Sequence, residues 1–355
     1  MRNHSCGNVS SMNTARTRAT MKDVAARAGV GLATVSRVVN GDANVSEQTR
    51  SAVQNAIETL DFRRNDSARL LRQGIAASIG VVLDDMSDPF FSTLNRAIET
   101  EATLRGTLSI TASSSNDTAH ARELIQALCA RRVDGLIVAA PGGLEQSFLQ
   151  EEIRAGTPMV FVDRPPEGFE ADTVLSDNFG GAVDGVNHLI TQGHRRIACL
   201  SDGSKLYTVQ QRIDGYWQAL RGAGISAVPQ WEHADQSSGT SLADWLTKMS
   251  RWSVQERPTA IFCTNSRASV AVLRALRASD TDWPALLCFD DFELADVIRP
   301  GISVVAQDPA AIGKRAAELL FSRLDGSAVG SQGPARAITV KTRLIPRGSA
   351  ESPTI

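Results

Sequence analysis

The chain has 355 residues, 42% of them hydrophobic, with 37 Lys+Arg against 39 Asp+Glu and a formal net charge of −2. That composition suits a globular protein of more than one domain. It holds no apolar run of membrane-spanning length, and residues 1–19 lack the apolar core of an export signal. The charge is unevenly spread. Residues 1–73 carry 11 basic and 6 acidic side chains, a net of +5, leaving 26 basic and 33 acidic, a net of −7, for the remainder. A basic head on an acidic body points to a nucleic-acid partner for the head alone. The five cysteines (Cys6, Cys129, Cys199, Cys263, Cys288) are scattered without a CxxC pair, so neither a disulfide framework nor a zinc site is expected.

Residues 1–19 are polar and read as a disordered arm, with Met1, Met12 or Met21 as the translation start. Residues 20–41, TMKDVAARAGVGLATVSRVVNG, then hold two short helical patterns joined by a glycine turn. Thr20 is placed to cap the first helix, Val24, Ala25 and Ala28 form its apolar face, and Gly29 ends it. The second runs from about Leu32 to Asn40. Val35, Val38 and Val39 turn inward, and Leu32, Ala33, Ser36, Arg37 and Asn40 lie on the other face. Ser46 then caps a third helix with apolar residues at Val53, Ala56, Ile57 and Leu60. This is the layout of a helix-turn-helix unit over residues 20–64.

DVAARAGV, TVSRVVNG, VSEQTR and NDSARLL, in that order and closely spaced, resemble the lactose-repressor-like (LacI/GalR) family of transcription regulators. The resemblance implies a homodimer on a pseudo-palindromic operator in double-stranded DNA, acting in the cytoplasm. Leu32 and Ala33 match the positions that discriminate operators; both would touch thymine methyls or base edges by apolar contact. Arg37 is the side chain there able to grip guanine, and Thr34, Ser36 and Asn40 would hold phosphates. Residues 65–75 match a hinge that becomes helical on specific DNA, with Ala68 and Arg69 preceding Leu71, the residue that wedges into the minor groove. So short a segment cannot sustain a helix alone. Two departures stand in the head: Arg64 where a proline is usual, and Gly31 where an N-capping serine is usual.

From Ala77 the pattern alternates between short apolar strands and amphipathic helices. Strands are expected at 78–85, 108–114, 135–141, 158–164, 174–178, 196–202, 260–265, 286–291 and 303–308, with helices between them and a last helix from Pro309. Two such series imply an α/β core of two doubly wound parallel-sheet subdomains over residues 76–349, followed by a tail at 350–355. The core resembles periplasmic sugar-binding proteins, as the family's does, including GHRRIA, RIDGY, CFDD and RLIPRGS. The family topology implies crossings between subdomains near residues 175, 265–300 and 340.

Ligands of open α/β sheets sit beyond the C-terminal strand ends, where this chain places several polar residues. The resemblance assigns Arg212 of the R-x-x-G-[YW] motif to the cleft, together with Asp163, Asn265 and Asp290, and with Asp88 and Phe91 as further candidates. An arginine among carboxylates and amides suits a polyol, whose hydroxyls both donate and accept, so a carbohydrate effector is expected. Strand-end Asp and Asn also serve simply as helix caps, and that reading stays open. Ser266 stands where the family usually has an aspartate. His194 reads as structural. No cofactor, metal or membrane partner is expected. The chain has no G-x-G-x-x-G, P-loop or G-x-S-x-G motif, so no enzyme is expected either. The alternatives are a solute-binding protein, against which the basic head argues, and a regulator controlled by a protein partner.

Overall fold

A computed structural model of the chain describes residues 19–42, 44–62, 76–203, 206–226, 228–234, 242–278, 283–326 and 333–351. It forms two compact units, residues 1–75 and residues 76–355.

In the first unit, α1 (Met21–Ala28), α2 (Leu32–Val39) and α3 (Glu47–Thr59) enclose a core of Val24, Ala25, Val35, Val38, Val53 and Ala56. Each helix starts and stops for a local reason. Thr20 and Asp23 form a reciprocal capping box, in which the Asp23 carboxylate accepts from the Thr20 N–H at 2.8 Å. Gly29 ends α1 at φ 68°, a left-handed conformation that costs glycine nothing. Ser46 caps α3 by accepting from the Thr49 N–H. At Gly31 the expected departure is real: α2 begins without a side-chain cap, a loss of only a few tenths of a kcal/mol. The hinge residues Ala68, Arg69 and Leu71 lie outside the described residues.

The second unit contains two six-stranded sheets. One, in the order β11-β5-β4-β3-β1-β2, is parallel throughout: β1 (Ser78–Leu83), β2 (Leu108–Ser113), β3 (Gly135–Val138), β4 (Met159–Val162), β5 (Asp172–Ser176) and β11 (Ala337–Val340). The other, β12-β10-β9-β8-β6-β7, comprises β6 (Ile197–Ser201), β7 (Glu232–Ala234), β8 (Ala260–Cys263), β9 (Ala285–Phe289), β10 (Ser303–Ala306) and the antiparallel edge β12 (Arg343–Ile345). The central strands are buried over their whole length, because helices cover both faces. Those helices are α4 (Pro89–Leu104), α5 (Thr118–Ala130), α6 (Gln146–Arg154), α7 (Asn178–Thr191), α8 (Tyr207–Gly222), α9 (Leu242–Ser250), α10 (Ser266–Arg277) and α11 (Pro309–Asp325). None of the described helices is long and apolar enough to cross a membrane.

The chain passes from the first sheet to the second after β5, returns between β10 and α11 at residues 307–308, and passes again between β11 and β12. The middle crossing therefore lies beyond the expected 265–300. All of that range belongs to the second subdomain, because β9 and β10 must both add to the second sheet before the chain can leave it. Four elements went unexpected. β7 and β12 are only three residues long, α9 is short, and β11 is a four-residue, half-exposed edge. Cys199, Cys263 and Cys288 are buried free thiols, whereas Cys129 is half-buried. His194 is buried too, its Nδ1 2.9 Å from the Thr259 hydroxyl, in keeping with a structural role.

Gly215 allows α8 to lie directly on α7. A Cβ there would come 2.6 Å from the Phe179 carbonyl oxygen and 2.8 Å from the Ala182 Cβ. Backbone cannot retreat as a flexible side chain can, so Gly215→Ala should cost about 1–3 kcal/mol of core stability. Thermal melts of parent and variant check this; equal melting temperatures would refute the close helix contact.

Candidate functional site

The C-terminal ends of strands from both sheets face a common cleft of about 310 Å³. Its lining includes Asp88, Phe91, Asp163, Arg212, Asn265 and Asp290, so tertiary structure brings together six residues scattered over more than 200 positions of sequence. Arg164, Gln307, Phe90 and Arg267 line it as well and were not singled out from the sequence.

Arg212 is the best-held group. It is only 3% exposed, on α8 one turn before Gly215. Its Nε donates to Asn178 Oδ1 at 2.8 Å, and Nη1 donates to the Thr264 carbonyl at 2.8 Å and to Asp290 Oδ2 at 3.2 Å. The guanidinium also lies 3.9 Å from the centroid of the Phe289 ring. Asp290, at the end of β9, is shared: Gln307 Nε2 donates to its Oδ1 at 2.6 Å and the Ser266 N–H to its Oδ2 at 3.4 Å. Ser266, in the place of the family's aspartate, thus meets the cleft through its backbone. Asn265 caps α10 by accepting from the Ala268 N–H at 2.8 Å, and Asp88 caps α4 by accepting from the Phe90 N–H at 2.9 Å. For these two the capping role is real and coexists with a place in the lining.

The opposite wall centres on Arg164. It is 3% exposed and donates to Asn116 Oδ1 at 3.0 Å and to Asp84 Oδ2 at 3.1 Å, while its Nε lies 3.3 Å from Asp163 Oδ2. The only signal for Arg164 in the sequence was its position beside Asp163 at a strand end. Gln307 likewise closes a strand, and Phe90 differs from Phe91 only in burial: Phe91 is anchored in the first subdomain's core, whereas Phe90 is half-buried at the cleft. Across the mouth, Arg267 of α10 reaches Asp85 at 3.5 Å, joining the two subdomains by an exposed ion pair.

Two lining residues carry backbone strain. Asp163 has φ 67° and Asp290 φ 73°, positive values that are uncommon for non-glycine residues, although aspartate adopts them more readily than most. At Asp163 the Arg164 N–H donates back to the Val162 carbonyl at 2.7 Å, a tight turn that aims the carboxylate off the end of β4. Burial holds the Asp163 carboxyl above its ordinary pKa, outweighing the attraction of Arg164 and Arg212. Asp88 is raised too, first by burial and then by the nearby charges of Asp290 and Asp85, against the lowering effects of the Phe90 N–H and Arg267.

In the head, α2 exposes Leu32, Ala33, Arg37 and Asn40, with Leu32 47% exposed, and leaves Thr34 and Ser36 half-buried on the same side. Asn40 Nδ2 donates to Ser36 Oγ at 3.4 Å. An exposed leucine and an exposed arginine with no ion pair among the described residues, both on one short helix, are poor for solubility and apt for a groove.

Two family models match the chain. "Bacterial regulatory proteins, lacI family" covers residues 20–65 and "Periplasmic binding protein-like domain" covers residues 186–350. The transcriptional repressor CytR of Escherichia coli K12 is 30% identical over 318 residues, which are 89% of this chain and 92% of that protein. The chain belongs to the LacI family. It is a helix-turn-helix transcription regulator, as its relatives are, and not an enzyme. The fold agrees. A lac repressor dimer bound to operator and an anti-inducer aligns with a TM-score of 0.78 at 24% identity, over 94% of this chain and all of that one. The regulator CelR in complex with cellobiose aligns with a TM-score of 0.65 at 27% identity, again over 94% of this chain and all of that one.

The raised pKa of Asp163 has a consequence for this LacI-family core. Folding favours the protonated carboxyl, so its contribution to stability is fully present below the unfolded pKa and is lost as pH rises through the folded one. Asparagine cannot ionise and tolerates positive φ better. Asp163→Asn should therefore be more stable than the parent at neutral pH, with the difference closing in acid. Melts across about pH 4 to 8, the span around ordinary carboxylate values and above, check this. A variant less stable than the parent at neutral pH would show that pairing with Arg164 outweighs burial.

Proposed function

We propose that this chain is a cytoplasmic, homodimeric repressor whose operator affinity is set by a sugar-like molecule held between its core subdomains. The observation that carries the reading is the buried Arg212, set among Asn178, Asp290 and the Thr264 carbonyl in the lining of the cleft. Its Nη2 has no hydrogen-bond partner among the described residues, which leaves it to serve a ligand. Guanidinium, carboxylate and amide groups together match hydroxyls that donate and accept. Support from relatives is of the same kind: CytR is named a repressor, and CelR was solved with cellobiose. On this reading residues 20–64 bind DNA, 65–75 form the hinge, and 76–349 bind effector and dimerise.

The effector contacts are assigned to Asp88, Phe91, Asp163, Arg212, Asn265 and Asp290, and the base contacts to Leu32, Ala33 and Arg37. Thr34, Ser36 and Asn40 hold phosphates, and Ala68, Arg69 and Leu71 enter the minor groove. A ligand touching both walls stabilises one angle between the subdomains over others. It shifts operator affinity only to the extent that it binds the two angles differently.

The test begins by selecting an operator from random DNA with the full chain, then titrating sugars against the complex. Arg37→Ala should weaken operator binding by about 10- to 100-fold, the value of a bidentate base contact, with little change on random DNA. Leu71→Ala should reduce the preference for operator over random DNA. Arg212→Ala should abolish the effector response. A variant lacking Arg212 that still responds as the parent does would overturn the assignment of the cleft.

A further inference from the structure

The cleft has a charge pattern that narrows its ligand. Three guanidiniums line it, and each already has a carboxylate partner. Arg164 pairs with Asp84 at 3.1 Å and with Asp163 at 3.3 Å, Arg212 with Asp290 at 3.2 Å, and Arg267 with Asp85 at 3.5 Å. Against these three stand six lining carboxylates, Asp84, Asp88, Asp163, Asp202, Asp290 and Asp291, a formal net of −3 among the described lining residues with all six ionised, of which Asp202 has a partner of its own. Asp291 is paired outside the lining, with Arg347 at 2.7 Å. Asp88 forms no ion pair among the described residues; its carboxylate caps α4 through the Phe90 N–H and adjoins the charges of Asp290 and Asp85.

Resting on the regulator reading above, we propose that the cleft selects an uncharged polyhydroxylated ligand and rejects its phosphorylated and carboxylated forms. A phosphate or carboxylate offers only acceptors when ionised, and needs a free cation or a cluster of N–H donors. Among the described lining residues neither is on offer. The guanidiniums are neutralised in place, and the N-termini of α4 and α10, which would otherwise attract an anion, are occupied by the capping oxygens of Asp88 and Asn265. Hydroxyl groups meet the opposite situation. Asp88 and Asp163 accept, Arg212 retains a donor edge, and Gln307 Oε1 is a buried acceptor without a partner among the described residues. A neutral polyol can therefore satisfy the lining, whereas an added anion meets like charge on both walls.

The experiment compares matched pairs on the full chain: ribose with ribose 5-phosphate, glucose with glucose 6-phosphate, and glucose with gluconate. Binding is read by thermal shift and then by calorimetry. At least one neutral member should bind, with its anionic counterpart weaker by about 100-fold or more, the order expected of like-charge juxtaposition. A phosphate or acid that binds as tightly as its neutral partner overturns the proposal while leaving the small-molecule regulator intact. Failure of every compound, neutral and anionic, to bind or to change operator affinity overturns both. A second variant separates charge from shape: Asp88→Asn keeps the cap and removes the unpaired charge. It should narrow the neutral-to-phosphate ratio by about 10-fold, and an unchanged ratio overturns the part given to Asp88.

Discussion

A single buried guanidinium organises the core. Arg212, on α8, ties three other segments together: the start of α7 through Asn178, the end of β8 through the Thr264 carbonyl, and the end of β9 through both Asp290 and the face of Phe289. A buried charge is costly unless its hydrogen bonds are met, and removing one partner of such a set typically costs about 3–5 kcal/mol. The second subdomain is therefore committed to this arrangement. It holds the far edge of the guanidinium at a fixed place in the cleft before any ligand arrives.

The other wall repeats the device with different parts. Arg164 gathers Asp84, Asp163 and Asn116, so each subdomain brings its own arginine–carboxylate group to the cleft. The strain at Asp163 and Asp290 falls on the residues that complete these two groups. Both lie just past a strand end, where a positive φ turns the side chain into the cleft instead of onward along the sheet. Strain of that kind persists where the surrounding hydrogen bonds over-determine it. Between the walls, Arg267 and Asp85 form an exposed ion pair, a contact of a kind that contributes little to stability.

The same economy appears in the head. Six small and branched residues close its core, and the second helix is left with an exposed leucine and arginine on one side. A core this small gains little from burial alone, and the capping box at Thr20 and the glycine stop at Gly29 define the helix ends where packing cannot.

Much of this was legible from the sequence. Glycine and capping residues act locally, so Thr20, Gly29 and Ser46 marked their helix ends without reference to the rest of the chain. Buried parallel strands show as short apolar runs, so nine of them could be read in order, and the resemblance in the RIDGY motif singled out Arg212. What the sequence could not supply was anything arising between distant segments. β11 is only four residues long, and its place at the edge of the first sheet is set by the β5 neighbour it pairs with. The middle crossing depends on which sheet accepts β10. Arg164 and Gln307 differ in no local feature from other polar residues at strand ends. Their role comes from Asp84, Asn116 and Asp290, far away in the chain, and only the closing of two sheets upon one cleft brings those groups within hydrogen-bonding distance.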